Sequence, residues 1–340
     1  MPTLSLDAMF PLDLARAESD ARRLEELGFD GLWTNETPHD PYLPVLAAAL
    51  STTRMMLGTG VATAFTRSPM VTALTAWDLQ NVSNGRFALG LGSQVAAHNA
   101  RRYSTPVDSP GRRMRELIPA LRHIWGAFQG DHPLDFHGDY YQLDLLTPLH
   151  SPGPIAHPHI PVYVAAVGEY MYRLAGELAD GVHVHSFNTA GYLAEVALPA
   201  LQAGLDRAGR SRSEVSLVSS LFAVIGNDAG MERTVRTQIA FYASTTSYRP
   251  LLALHGWEGL TDRLKPLVRA GDLDAMAAAI SDDVLDEFAI VAPSWEAAIA
   301  KANSRFDGLL DRIGFYSLQG MVQLSEAAAI AAAQRSFAAS

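Results

Sequence analysis

The chain has 340 residues, of which 48% are hydrophobic and 18% charged, a composition that supports a large buried core. A formal net charge of −10, without a cluster of lysine or arginine, argues against a nucleic-acid partner. The lack of cysteine excludes disulfides, thiolate metal sites and cysteine nucleophiles. The first ten residues, MPTLSLDAMF, do not look like a secretion signal, and no apolar run approaches the ~20 residues of a membrane span. We therefore expect a cytoplasmic protein with no membrane partner.

Apolar strands and helix-like segments alternate along the chain. The first predicted helix has Asp13 as a cap and ends at Gly28, and a later helix begins at Ser68 and Pro69. The predicted strands are 3–10, 29–33, 55–61, one within the stretch 85–94, 161–165, 182–184, 215–225 and 309–316. The predicted helices are 13–27, 68–82, 112–128, 169–179 and 190–208.

A short turn motif recurs where a helix ends and a strand begins. It appears as Asp-Gly at 30–31, 180–181 and 307–308, and as Asn-Gly at 84–85. We interpret it as a repeated helix-to-strand turn. Strand and helix alternate about eight times, which favours one (β/α)8 TIM barrel over residues 1–340, whereas five or six units in two halves would favour a doubly wound sheet.

Two segments interrupt this alternation. Residues from about 129 to 160 contain five prolines, several histidines and the hairpin-like run DFHGDYYQL. Residues 226–286 are rich in helical patterns and have no clear strand. Both are long enough to cover the mouth of a barrel, so we expect them to be insertions that shape a substrate pocket.

The stretch GRFALGLGSQ, residues 85–94, ends a predicted strand in Gly-x-Gly. A dinucleotide fingerprint needs a third glycine where Val95 stands, and it usually follows the first strand, whereas this strand is about the fourth. We therefore favour another use for these glycines. Without a Cβ atom they let a flat ring or a phosphate approach the mouth of a barrel.

These motifs together resemble the luciferase-like monooxygenase superfamily, and within it the branch that uses the deazaflavin coenzyme F420 in place of FMN. The resemblance covers nearly the whole chain in order, and the segment from 255–258 to 283–286 is similar to actinobacterial F420-dependent oxidoreductases. The motifs are GFDGLW at 28–33, LGTGV at 57–61, TRSP at 66–69, NGRF at 84–87, GLG at 90–92, VAAVG at 164–168, ADG at 179–181 and LDRI at 310–313.

The resemblance implies a cofactor site at the ends of two strands. It implies a non-proline cis peptide at Gly60-Val61, whose bulge backs the central ring of the cofactor; the alternative is an ordinary trans strand end. It also implies that Ser93 and Gln94 line the ribityl chain or the ring edge, where a hydroxyl and an amide suit hydrogen bonding to a neutral group. The alternative for these two residues is a simple polar loop.

The same resemblance implies that Val167, Gly168 and Glu169 hold the cofactor phosphate. They stand between a strand and a helix, where backbone N–H groups and the helix dipole favour an anion. The carboxylate of Glu169 conflicts with this role unless its side chain turns away. A turn without a ligand is the alternative.

The end of the second strand is the position of the catalytic acid or base in this family. Relatives among sugar-phosphate dehydrogenases carry Asp-His where this chain has Asn35 and Glu36, so the departure leaves the proton transfer open. We expect Asn35 to contact the cofactor, and either Glu36 or His39 to protonate a carbonyl oxygen or stabilise an alkoxide during hydride transfer. The alternative is a capped, solvated loop.

His183 and His185 alternate on one predicted strand and so face the same way. Since a metal would need further ligands from separate loops, we expect a substrate-pocket or packed role and no metal.

The expected function is hydride transfer between coenzyme F420 and a small organic substrate. An FMN-dependent monooxygenase and a non-catalytic barrel are the alternatives. Luciferase-like barrels commonly pair through helices of the first half, so we expect a homodimer through the helix that carries Met70, Val71, Leu74 and Leu79.

Overall fold

The computed structural model describes residues 3–10, 12–316 and 322–339. Its strands are β1 (Ser5–Ala8), β2 (Gly31–Thr34), β3 (Met56–Thr59), β4 (Ala62–Thr63), β5 (Phe87–Gly92), β6 (Phe136–His137), β7 (Gln142–Leu143), β8 (Val162–Ala166), β9 (Gly181–Val184), β10 (Ser216–Ile225), β11 (Ala289–Ala292) and β12 (Arg312–Phe315). Its α-helices are α1 (Ala17–Leu27), α2 (Tyr42–Ser51), α3 (Pro69–Val82), α4 (Ala96–Arg101), α5 (Pro110–Gln129), α6 (Glu169–Leu178), α7 (Ala190–Tyr192), α8 (Leu198–Ala208), α9 (Ala229–Ala243), α10 (Arg249–Leu254), α11 (Leu260–Ala270), α12 (Leu273–Ala278), α13 (Asp282–Phe288), α14 (Trp295–Arg305) and α15 (Ala327–Ala338).

Eight parallel strands close into a barrel, as the alternation predicts. Their order is β1, β2, β3, β5, β8, β9, β10 and β12, and β12 pairs with β1 to complete the circle. The short strand β4 adds to β5, and β11 pairs with the second half of β10. The fold is a (β/α)8 TIM barrel, whose ligand sites lie at the carboxyl ends of the strands.

A buried ion pair joins the first and last strands of the barrel. The guanidinium of Arg312 on β12 donates two hydrogen bonds to the carboxylate of Asp7 on β1, at 2.8 and 2.5 Å. The indole N–H of Trp33 on β2 also donates to Asp7, at 2.6 Å. The Asp7 side chain is fully buried, so these partners replace the water that a carboxylate otherwise requires.

Side chains alternate between the barrel interior and the surrounding helices. The interior holds a small cluster of its own, in which Trp33, Ala88, Tyr163 and Val218 are fully buried. The main core lies between the outer face of the strands and the helices. The interior cluster therefore forms a closed floor below the carboxyl ends of the strands.

The residues of the recurring Asp-Gly and Asn-Gly motif have different roles in the structure at different positions. The carboxylates of Asp30 and Asp180 each accept a backbone N–H near the start of a neighbouring strand, from Leu6 and Val162, at 2.8 Å in both cases. An added Cβ at Gly31 would lie 2.6 Å from Asp7 Oδ1, so glycine there makes room in the barrel. Gly85 and Gly308, by contrast, adopt the left-handed conformation of a turn, with φ of 84° and 70°.

Most predicted element boundaries shift by a few residues. The first helix begins at Ala17, because Asp13 caps no helix and instead accepts the N–H of Ala15. Ser68 caps α3 as predicted, by accepting the N–H of Val71 at 3.2 Å. The predicted strand 55–61 ends at Thr59, two residues early. Helices α2, α4 and α15 are not among the helices predicted from the sequence.

The two segments predicted to be insertions differ in their secondary structure. The first contains the antiparallel hairpin of β6 and β7. The second consists of α9 to α13, between β10 and β11. In the part of the chain that the structure describes, we find no helix with the length and apolarity to cross a membrane.

Candidate active site

The barrel interior opens to solvent above its buried floor. Trp33, Tyr163 and Val218 in the floor are at most 4% exposed. Nearer the carboxyl ends of the barrel strands, the positions that the alternation along each strand turns inward become half-buried. They comprise Met9, Asn35, Ala165, His183, His185 and Ser220. The structure thus has a recess at the carboxyl ends of the strands, where TIM barrels carry their active sites.

The Gly60–Val61 segment lies at one side of this recess, and its peptide bond is cis, as predicted. A Cβ atom at Gly92 would lie 2.5 Å from Val61 Cγ2, so the side chain of Val61 occupies the place of a side chain at position 92. A Cβ atom at Gly90 would lie 1.8 Å from the carbonyl oxygen of Thr59. The glycines of β5 therefore let this segment pack flat against the neighbouring strand.

Ser93 and Gln94 follow β5 at the rim of the recess. Ser93 is half-buried and Gln94 is exposed with a left-handed φ of 54°. The Gln94 side-chain oxygen accepts the N–H of Val95 at 2.9 Å, which leaves its amide NH2 group to donate elsewhere. The side-chain amide of Asn99 on α4 donates to the carbonyl of Ser93 at 2.9 Å and fixes this turn.

The start of α6 forms another part of the rim. An added Cβ at Gly168 would meet no atom of the described residues within 4 Å, so the space beside it is open. The carboxylate of Glu169 lies 3.8 Å from the guanidinium of Arg173, one turn along the helix, and so turns away from the helix start. The carbonyl of Val167 accepts a hydrogen bond from Tyr192 at 3.4 Å.

Glu36 and His39 have different surroundings although they share a loop. Glu36 is buried, and its carboxylate accepts hydrogen bonds from Arg67 at 2.9 and 3.3 Å and from the N–H of Thr63 at 2.8 Å. Arg67 also pairs with Asp40 at 2.8 Å. The His39 side chain is exposed and has no hydrogen-bond partner among the described residues. Asn35 accepts a hydrogen bond from the Thr37 hydroxyl.

His183 on β9 points into the barrel towards Gly60 and Gly90, and His185 follows the end of this strand. The ring of His183 packs edge-on against Trp33, with centroids 4.6 Å apart, and its Nε2 is buried without a hydrogen-bond partner. Burial lowers the pKa of His183 to about 3 and that of His185 to about 4, so both rings are neutral at neutral pH.

An aromatic wall beside His185 was not foreseen in the sequence. The ring of His185 lies 4.7 Å from that of Tyr242 on α9 and 5.3 Å from that of Tyr248. The hydroxyls of Tyr242 and Tyr316 are 3.1 Å apart. Tyr242 and Tyr248 come from the second insertion and Tyr316 follows β12, so only the folded chain brings them together.

The closed ring of eight parallel strands defines a protein of the (β/α)8 class. Residues 5–311 match the family model described as luciferase-like monooxygenase, and the chain belongs to this family. The resemblance in the sequence motifs is thereby confirmed.

The chain is similar to two curated proteins in sequence and to a solved structure in fold. The uncharacterized protein Rv1360 of Mycobacterium tuberculosis is 45% identical over 314 residues, which cover 91% of this chain and 92% of the relative. The F420-dependent glucose-6-phosphate dehydrogenase of Intrasporangium calvum is 31% identical over 224 residues, 61% of this chain and 65% of the relative. The structure of the coenzyme F420-dependent tetrahydromethanopterin reductase of Methanopyrus kandleri has a TM-score of 0.79 and 20% identity, and covers 98% of both chains.

Proposed function

We propose that the protein is a coenzyme F420-dependent oxidoreductase that transfers a hydride between the deazaflavin and a small organic substrate. One observation carries the proposal: Val61 lies across Gly92 and gives the half-exposed recess one flat side at the carboxyl ends of the strands. A flat, apolar surface suits the face of a tricyclic ring. The F420-dependent relatives support the deazaflavin as that ring.

The residues at the rim suit the remaining parts of this coenzyme. Ser93 and Gln94 offer a hydroxyl and an amide to the hydroxylated chain that links ring and phosphate. The open space beside Gly168 and the N–H groups at the start of α6 suit the phosphate. When bound, the deazaflavin supplies a ring carbon that exchanges a hydride with the substrate. The barrel orients the two reactants.

We further propose that the loop after β2 handles the proton. Hydride transfer to a carbonyl carbon leaves a negative oxygen that needs a proton or a hydrogen bond. His39 is the better placed of the two candidates, because it is free of partners among the described residues, whereas Arg67 and Thr63 engage the carboxylate of Glu36. Asn35, which points into the recess, is the proposed contact to the ring edge.

A titration of the purified protein with F420 and, separately, with FMN tests the cofactor. Trp33 forms the floor below Gly60, so we expect F420 to quench tryptophan fluorescence saturably and FMN to have little effect. Replacing both Ser93 and Gln94 by alanine should weaken F420 binding by ~1–3 kcal/mol. Gln202→Ala, on the exposed face of α8, is the control and should bind normally.

The alternative is an FMN-dependent monooxygenase, which the description of the matching family supports. Quenching by FMN alone would establish that alternative and refute the proposal. The absence of quenching by either compound would instead favour a non-catalytic barrel.

A further inference from the structure

The recess above the barrel floor is built from uncharged side chains in the part of the chain that the structure describes. Its half-buried inward positions carry thioether, amide, methyl, imidazole and hydroxyl groups, in Met9, Asn35, Ala165, His183, His185 and Ser220. The nearest charged pairs face elsewhere: Asp7 and Arg312 lie at the level of the buried floor, and Glu36 turns to Arg67. Residues 317–321, SLQGM, contain no ionisable side chain. None of these described inward positions would therefore offer a counter-ion to a charged substrate.

His185 presents one defined hydrogen-bond donor to the recess. The backbone N–H of Phe187 donates to His185 Nδ1 at 3.0 Å. A backbone N–H is only a donor, so Nδ1 is the acceptor and the neutral ring carries its hydrogen on Nε2. Burial disfavours the charged ring by lowering the pKa of His185 to about 4. Among the described residues, this Nε2–H has no hydrogen-bond partner.

The surroundings of His185 are aromatic. Tyr242 lies edge-on to the imidazole at 4.7 Å and is itself half-buried, and Tyr248 and Phe187 pack behind it, with centroids 5.0 Å apart. The hydroxyl of Tyr242 pairs with that of Tyr316. With this hydroxyl engaged, Tyr242 offers the recess mainly its ring, which favours an apolar body next to the Nε2–H donor.

We propose that the substrate is an uncharged ketone or aldehyde with a compact apolar body, and that the Nε2–H of His185 donates a hydrogen bond to its carbonyl oxygen. This inference rests on the proposed function. In the reduction, a hydride from the reduced deazaflavin forms a new C–H bond at the carbonyl carbon, and the π pair of the C=O bond moves to oxygen. The oxygen takes a proton from His39 or from water, which completes the alcohol. His185 keeps its own proton and stabilises the negative charge on oxygen as it develops.

The substrate class is tested with two ketones that share a six-membered ring and differ by a carboxylate group. Cyclohexanone and 4-oxocyclohexanecarboxylate are titrated into the protein, free and saturated with F420, and binding is followed by saturation-transfer NMR. We expect the neutral ketone to bind at least about tenfold more tightly, since the carboxylate would lose its hydration without a counter-ion. Equal or tighter binding of the carboxylate, or no binding of cyclohexanone, would overturn the inference.

The role of His185 is tested with His185→Phe, which keeps an aromatic ring without the donor, and His185→Gln, whose amide nitrogen lies near the position of Nε2. We expect His185→Phe to weaken the binding of cyclohexanone about tenfold and His185→Gln to retain most of the affinity. In ¹⁵N-labelled protein, the His185 ring should show the Nε2–H tautomer, and its Nε2 signal should shift when the ketone binds. His150→Phe, on the exposed surface of the first insertion, is the matched control.

Failure of this inference is distinguishable from failure of the proposed function. The F420 titration uses the same variants, and the proposed function predicts quenching in all of them. Normal F420 binding with unchanged ketone affinity in His185→Phe would remove His185 from the substrate site and leave the coenzyme assignment intact. Loss of F420 binding in the wild-type protein would refute the proposed function itself.

Discussion

Arg67 determines what Glu36 is able to do. Its guanidinium bridges Glu36 and Asp40 and lies over the ring of Tyr42, with 5.1 Å to the centroid. A carboxylate with its oxygens engaged in this way is suited to holding the loop after β2 in place. His39, two residues beyond Thr37, projects from that loop without such restraint. The same loop thus contains one anchored and one available ionisable group.

We expect His39→Asn to lower turnover by ~10²–10⁴-fold with little change in F420 affinity, because it removes the proton donor and keeps the loop. Glu36→Gln should instead leave turnover within a few fold and lower the free energy of unfolding by ~1–3 kcal/mol, because Arg67 loses a buried partner. Single-turnover rates and denaturant unfolding measure the two effects. Glu26→Gln, on the exposed side of α1, is the control, and a large rate loss in Glu36→Gln alone would assign the proton to Glu36.

Single residues were predictable where a local rule governs them. The cap at Ser68 and the left-handed Gly28 follow from backbone hydrogen bonding within a few residues. The partners of Glu36 and the aromatic neighbours of His185 did not follow from the sequence, because Arg67 and Tyr242 lie 31 and 57 positions away and meet them only in the closed barrel. Glycines 31 and 181 were found for the wrong reason, since crowding inside the barrel rather than a turn requires them.

At the scale of the element, a substitution at the start of α6 can change ligand binding without changing the stability of the fold. Gly168 has an ordinary negative φ of −105°, and an added Cβ would meet open space among the described residues. A side chain there should therefore leave the free protein unchanged. Any loss of ligand affinity that it causes would therefore reflect contact with the ligand and not a change in the fold.

Gly168→Val should raise the F420 dissociation constant at least about tenfold, because its methyl groups enter the space proposed for the phosphate. The unfolding midpoint should match that of the wild-type protein. Gly259→Val offers a comparison, since an added Cβ at this glycine also has open space but lies in the second insertion. Wild-type F420 affinity in Gly168→Val would remove the phosphate assignment.

The elements themselves were predictable to different degrees. The barrel strands have continuous apolar sequences, and their boundaries were predicted to within a few residues. Helix α2 was not predicted, because its apolar residues surround most of the helix and give no amphipathic pattern. Four residues on the outer face of α2 and α3 explain this pattern, since Leu43, Leu46, Leu50 and Val71 are 38–66% exposed. Leu79, which we had included in a pairing face, is 4% exposed and belongs to the core.

At the scale of the whole molecule, this exposed apolar face supports the expected homodimer. We expect light scattering at micromolar protein to give the mass of a dimer, and Leu50→Glu to shift it to that of a monomer, because burying an unpaired carboxylate opposes association. Leu149→Glu is the control. It replaces a leucine of the first insertion that is 89% exposed, and it should not alter the mass. A monomeric wild-type protein would contradict the prediction.

The ion pair between Asp7 and Arg312 also bears on how the chain is made. The two residues are separated by 305 positions, and β12, which carries Arg312, completes the circle of strands. While the chain emerges from the ribosome, the first strands are available long before the cation that neutralises Asp7 has been synthesised. Enclosing Asp7 without Arg312 would leave a buried carboxylate with no counter-ion, at a cost of several kcal/mol. We therefore expect the barrel to close only after β12, which carries Arg312, has been synthesised.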